Sequence, residues 1–310
     1  MSIQKYVIRV AERSQQPCSL KDDEYMNKLL ISSLLLCITT SVMARPSQSI
    51  PPLDDNVAQF YDIKQTDMAY GDRELRIYSA VPYNVTAKRP VLYMLDGNGL
   101  YPKVVNRAVE TLNKDSLPII IGIGYPVDEA FPKALRTYDY TPPVSGEDFS
   151  HGGGSPALYQ FISQTLRPWA EQQFPIDKQK QTLFGHSFGG LFTLMAYQQK
   201  PDDFQYYVSA SPSLWWGKGE MVELKKLTQK QAAAPIFVTL GGLEETPDLS
   251  KLTQEQVQNY QDRKSWISTR QVCTEIQTHQ RTCEFTLFEG KSHGSVIPDA
   301  INKALAVTTH

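Results

Sequence analysis

Residues 182–199 constrain this chain more than any other stretch. Thr182-Leu183-Phe184 is apolar, Gly185-His186-Ser187-Phe188-Gly189 follows, and Leu191, Phe192, Leu194, Met195 and Tyr197 then recur at helical spacing. The pattern reads as strand, abrupt turn and helix, with G-x-S-x-G in the turn. A serine at the tip of so tight a turn takes strained backbone angles. The flanking glycines leave room for the strand and helix backbones to pass close by. Ser187 is therefore the candidate nucleophile.

The rest of the chain supplies the sheet that such a turn needs. Residues 60–68 and 75–81 alternate as two antiparallel strands, with Tyr70-Gly71-Asp72 as their turn. Residues 90–95 and 118–123 are continuous apolar runs, as in strands buried on both faces. Helices are expected over 103–112, 155–173, 220–230, 253–278 and 296–306, and further strands over 206–211, 235–240 and 282–288. Strands separated by helices predict an α/β fold with a mostly parallel central sheet and helices on both faces. The long segment 124–154, which holds Arg136, Tyr138, Tyr140 and Gly152-Gly153-Gly154, reads as an irregular functional loop.

The N-terminus reads as processing rather than fold. Met26-Asn27-Lys28, the apolar stretch 29–43 and a small residue at Ala44 fit a secretory signal cleaved after Ala44, with an uncleaved anchor as the alternative. Residues 1–25 have no place ahead of a signal and read as a disordered upstream extension, leaving 45–310 as a single catalytic domain. Export suits the cysteines: Cys273 and Cys283 remain, and their spacing predicts a disulfide. The formal net charge of −2 and the lack of any basic run exclude nucleic acid as a partner, and a membrane enters only if the signal stays attached. No C-x-x-C or His/Cys cluster exists, so neither metal nor cofactor is expected, and the protein should be a monomer.

A serine hydroxyl needs a base to take its proton. Of His151, His186, His279, His293 and His310, only His293 comes directly after the last strand, in Glu289-Gly290-Lys291-Ser292-His293-Gly294. His186 sits in the turn with its side chain expected to point away from the serine. The acid should lie after strand 235–240, where Glu244 is the choice and Glu245 the neighbour; a Ser–His pair without an acid is the alternative. Oxyanion donors are expected from the backbone of Phe188 and from Asn98 or Gly97.

Together, Leu95-Asp96-Gly97-Asn98, Arg136 through Asp139-Tyr140-Thr141-Pro142, Gly185 through Phe192 and Ser209-Ala210-Ser211-Pro212-Ser213-Leu214-Trp215-Trp216 resemble the putative-esterase branch of the α/β hydrolases. Within it the chain is similar to periplasmic catecholate-siderophore esterases of the IroE type, which cleave the trilactones of enterobactin and salmochelin. The likeness covers almost all of 60–306, and the order Ser…acid…His is that of the fold. It implies a periplasmic serine esterase acting on the serine trilactone of an enterobactin-like siderophore, iron-free or ferric. Trp215, Trp216 and Tyr138 would then meet catechol rings and Arg136 their negative charge. A broader acetyl or feruloyl carboxylesterase and a siderophore-binding protein on a hydrolase scaffold are the competing readings.

Overall fold

The computed structural model describes residues 47–310 apart from 84, 86, 229–233 and 280. The expected upstream extension and signal segment lie outside the described residues. In chain order the elements are β1 (Tyr61–Tyr70), β2 (Arg73–Pro82), β3 (Arg89–Met94), α1 (Gly97–Thr111), β4 (Ile119–Gly124) and α2 (Lys133–Tyr140). Next come α3 (Ser155–Phe161), a π-helical turn, α4 (Arg167–Gln173), β5 (Ile176–His186), α5 (Phe188–Gln199), β6 (Tyr206–Ala210) and α6 (Leu224–Thr228). The chain closes with β7 (Ile236–Gly241), α7 (Gly242–Glu245), α8 (Gln254–Asp262), α9 (Thr269–Thr278), β8 (Cys283–Phe288) and α10 (Ile297–Thr309).

The eight strands form one sheet in the order β1-β2-β4-β3-β5-β6-β7-β8. β2 runs antiparallel to β1 and β4, and every other neighbouring pair is parallel. This is the expected mostly parallel sheet. Its inner strands are apolar where both faces are covered, as along residues 91–94 of β3 and Ile119–Gly124 of β4. On β3, Val91 and Tyr93 join one core, which includes Leu158, Leu191 and Ile276. Leu92 and Met94 face the other, under Leu100 of α1 and Ile301 of α10. Alternation along a strand thus feeds two cores.

Four elements depart from the sequence reading, the first being α1, which begins at Gly97 and not at 103. Segment 124–154 is not wholly irregular: α2 runs through it, Pro132 at its N-cap and Thr137, Asp139 and Tyr140 buried. β5 begins six residues earlier than its apolar core, because Arg89 pairs with Ile176 across a register shift. The stretch 253–278 is two helices, each opened by a capping box, Thr253 with Gln256 and Ser268 with Gln271. The expected disulfide joins Cys273 of α9 to Cys283 of β8. Among the described residues no helix is long and apolar enough to cross a membrane.

Candidate active site

β5, β6, β7 and β8 are adjacent and parallel, so their C-terminal ends open on one edge of the sheet, where ligands of such sheets bind. Each strand delivers the residues just past its own end. Ser187 ends β5 with φ 63° and ψ −119°, a strained conformation for a residue with a side chain. The turn closes so tightly that a Cβ on Gly185 would sit 2.1 Å from the carbonyl oxygen of Gly189, and one on Gly190 2.4 Å from that of Ala210. Only glycine fits at either place. The serine backbone is fixed from both sides: its N–H donates to Ala210, and its carbonyl accepts from Leu191 and Ser213.

His293 lies in the loop after β8. Its Nε2 is 2.9 Å from Ser187 Oγ and its Nδ1 2.5 Å from Glu244 Oε2. Glu244 is the third residue of α7, and its other oxygen accepts from Gly241 N–H at 2.9 Å and from Ser211 Oγ at 2.7 Å. Burial acts to raise the Glu244 pKa, but these three hydrogen bonds and the imidazole outweigh it and hold the carboxyl below its ordinary value. It is therefore ionised at neutral pH, and the proton of His293 resides on Nδ1. That leaves Nε2 free to accept from Ser187. Glu245 faces away and pairs with Arg270 at 2.8 Å. The His loop is locked against α7, since Leu243 N–H donates to the carbonyl of Lys291.

Three more groups complete the cluster, and the sequence reading gave none of them a part in it. Ser211, with φ 43°, orients Glu244. Ser213, 4% exposed, places its Oγ 3.2 Å from that of Ser187. Because the single hydroxyl proton of Ser187 points to His293, Ser213 must be the donor of that bond. Parallel register could have found both serines: Ala210 pairs with His186, so the residues just beyond Ala210 flank Ser187. His186, expected to point away from the serine, reaches the base. Its Nε2 donates to the backbone carbonyl of His293 at 3.0 Å, and the two rings lie 4.7 Å apart. Burial, followed by the nearby His293 and Arg136, pushes the His186 pKa well down, so it stays neutral.

The helix starts of α1 and α5 approach the same point. A Cβ on Gly189 would lie 3.3 Å from Leu95 Cβ and 3.6 Å from Asp96 Oδ2. Gly97 and Asn98 open α1 and Phe188 opens α5, where the first N–H groups have no acceptor within the helix. The side chain of Asn98 is occupied elsewhere, bonded to the backbone of Tyr125 and Val127.

Two of the expected substrate contacts have partners within the protein. Arg136 forms a bidentate pair with Asp96 at 2.7 and 2.8 Å and packs over Tyr140 and Phe188. In this pair it braces the β3–α1 turn. Trp216 is 3% exposed, donates to the carbonyl of Pro142 and packs on Phe149 and Phe188. Trp215 is half-buried on Phe188, and Tyr138 is exposed, under Arg73 and against Gly154. Among the described residues no group of three or more His, Cys, Asp or Glu could hold a metal ion.

The "Putative esterase" family model matches residues 69–286. The chain belongs to this family. It is a carboxylic ester hydrolase on the α/β-hydrolase fold. An apo-salmochelin esterase from Escherichia coli O6:H1 is 35% identical over 64% of this chain and 66% of that protein. The ferri-bacillibactin esterase BesA of Bacillus subtilis is 31% identical over 71% and 79%. The solved structure of the siderophore hydrolase EstA from Aspergillus nidulans superimposes with a TM-score of 0.69 at 25% identity, covering 84% of this chain and 98% of that one.

Proposed function

We propose that this esterase hydrolyses the serine trilactone backbone of enterobactin-like catecholate siderophores, with Ser187 as nucleophile, His293 as general base and acid, and Glu244 as the carboxylate that orients it. The observation that carries the reading is the unbroken hydrogen-bonded line from Ser187 through His293 to Glu244 in a member of a family whose relatives are named for siderophore esters. The proposed reaction rests on the positions of these groups. Ser187 Oγ adds to the ester carbonyl carbon while its proton passes to His293 Nε2, and Glu244 stabilises the imidazolium. Negative charge on the carbonyl oxygen is met by the N–H of Phe188 and by that of Gly97 or Asn98 at the head of α1. Ser213 donates to the serine oxygen as its own proton leaves. The tetrahedral carbon then expels the seryl alkoxide, which takes the proton from Nε2, leaving an acyl group on Ser187. Water repeats the sequence, giving a free carboxylic acid and restoring the serine.

Residues 45–310 would form the single catalytic domain, acting as a monomer outside the cytoplasm after loss of the segment that precedes it. The disulfide between Cys273 and Cys283 supports an oxidising compartment. Mass spectrometry of enterobactin incubated with residues 45–310 tests the activity. Stepwise gain of water by the trilactone, absent with Ser187→Ala, is the expected result. An untouched trilactone beside rapid hydrolysis of simple acetates would transfer the reading to a general carboxylesterase. No turnover of any ester would favour a binding protein on this scaffold.

A further inference from the structure

Arg136, the cation that the sequence offers for an anionic substrate, is committed to Asp96. Another cation stands closer to solvent. The guanidinium of Arg263, the exposed residue that ends α8, lies 5.3 Å above the ring of Trp215. Trp215 in turn packs on Phe188 at 5.5 Å, and Phe188 directly follows Ser187. Trp215 also stands two residues beyond Ser213, whose hydroxyl touches the nucleophile. A row of packed groups, Phe188, Trp215 and Arg263, therefore leads from the residue after Ser187 to the surface.

The segment that carries Arg263 is fastened beside the site. Trp266 N–H and Ser265 Oγ donate to the carbonyl of Lys218, and the Trp266 indole donates to that of Gly219 at 2.7 Å. Lys218 is exposed and has φ 54° between two glycines that are also left-handed, an unusual backbone for a lysine. Among the described residues no carboxylate pairs with Arg263, Lys264 or Lys218. Of the acids adjoining them in sequence, Asp262 is bonded to Gln258 and Glu220 is exposed. Arg263 over the Trp215 indole, with Lys218 and Lys264 on the two segments that these hydrogen bonds join, offers a cationic face to a planar, hydroxyl-bearing ring.

We propose that Arg263, held in place by Trp215, is a specificity-determining residue that binds a catechol ring of the substrate. The ring would stack on the outer face of the guanidinium, with its oxygens meeting the N–H edge and the charges of Lys218 and Lys264. The inference rests on the siderophore reading, and kinetics on two esters separate the two ideas. In Arg263→Gln, kcat/KM for iron-free enterobactin should fall about tenfold, chiefly through KM, with p-nitrophenyl acetate unchanged. Arg263→Lys, which keeps the charge without the plane, should recover part of the loss. Full activity of Arg263→Gln on enterobactin, or an equal loss on both esters, would overturn this role and leave the siderophore reading intact. Failure of the unaltered enzyme on enterobactin, with normal acetate turnover, would remove the siderophore reading and this role with it.

Discussion

Replacing Glu244 by glutamine keeps the shape of the side chain and inverts its hydrogen bonding. Oε1 accepts from both Gly241 N–H and Ser211 Oγ, and a backbone N–H cannot turn round to accept. The amide oxygen of glutamine must therefore take that position. Its NH2 group is left facing His293 Nδ1, which lies 2.5 Å from Oε2 in the native protein. A donor there requires a lone pair on Nδ1, so the imidazole proton moves to Nε2, the atom that should accept from Ser187. The base is present but in the wrong tautomer. A comparable carboxylate-to-amide change in a serine protease costs about 10⁴ in kcat. Here the expectation is a fall of about 10³ to 10⁴, equivalent to about 4–5.5 kcal/mol of barrier. KM should hardly move, because no substrate contact is lost. Glu244→Ala, which removes the tautomer lock without imposing the wrong form, should retain more activity than the glutamine variant. Steady-state hydrolysis of p-nitrophenyl acetate, with thermal melts to show that both variants fold, is sufficient. If Glu244→Gln stays within about tenfold of the native enzyme, the serine and histidine act as a pair and the orienting role of Glu244 is refuted.

Ser213→Ala removes a hydrogen bond to the serine oxygen while leaving the backbone bond between Ser213 and Ser187, so kcat should fall about tenfold with KM unchanged. Arg136→Leu strands the Asp96 carboxylate, whose side chain is 1% exposed, and urea denaturation should show about 3–5 kcal/mol of lost stability. His186 is held neutral in the fold, well below its ordinary value of 6.5, whereas the unfolded chain takes up a proton there. Folded-state stability is therefore lost as pH falls below that value, and His186→Gln, which can still donate to the His293 carbonyl, should flatten the fall in Tm between about pH 7 and pH 5.

Whatever depends on local pattern was legible in the sequence. The G-x-S-x-G turn, the apolar strands and the loops after β7 and β8 each announce themselves by periodicity or by glycine. Position along a parallel sheet then orders serine, acid and histidine, and the structure brings Ser187, His293 and Glu244 within hydrogen-bond reach of one another. Burial of charge was not legible. Asp96 and Asp139 receive no role from the sequence and Arg136 is assigned to substrate, yet the two aspartates are 3% and 0% exposed and each is satisfied by an arginine from a distant element. The pairing of Asp96 with Arg136 spans forty residues, which no local window can see. α2 was hidden for a related reason: its buried residues are Thr137, Asp139 and Tyr140, a face that hydropathy does not mark. The break between α8 and α9, in contrast, was written in the two capping boxes and could have been read.

The base of the reaction hangs from one of the sheet's two edge strands. β8 has a sheet neighbour only in β7, whereas β5, which bears Ser187, is clasped between β3 and β6. On the side of the sheet that carries the site, fraying should therefore begin at β8, and the covalent tie from Cys283 to α9 sits at the opposite end of that strand from His293. Warming such a molecule would disarm it before it unfolds, so the temperature at which turnover dies should lie below the calorimetric midpoint.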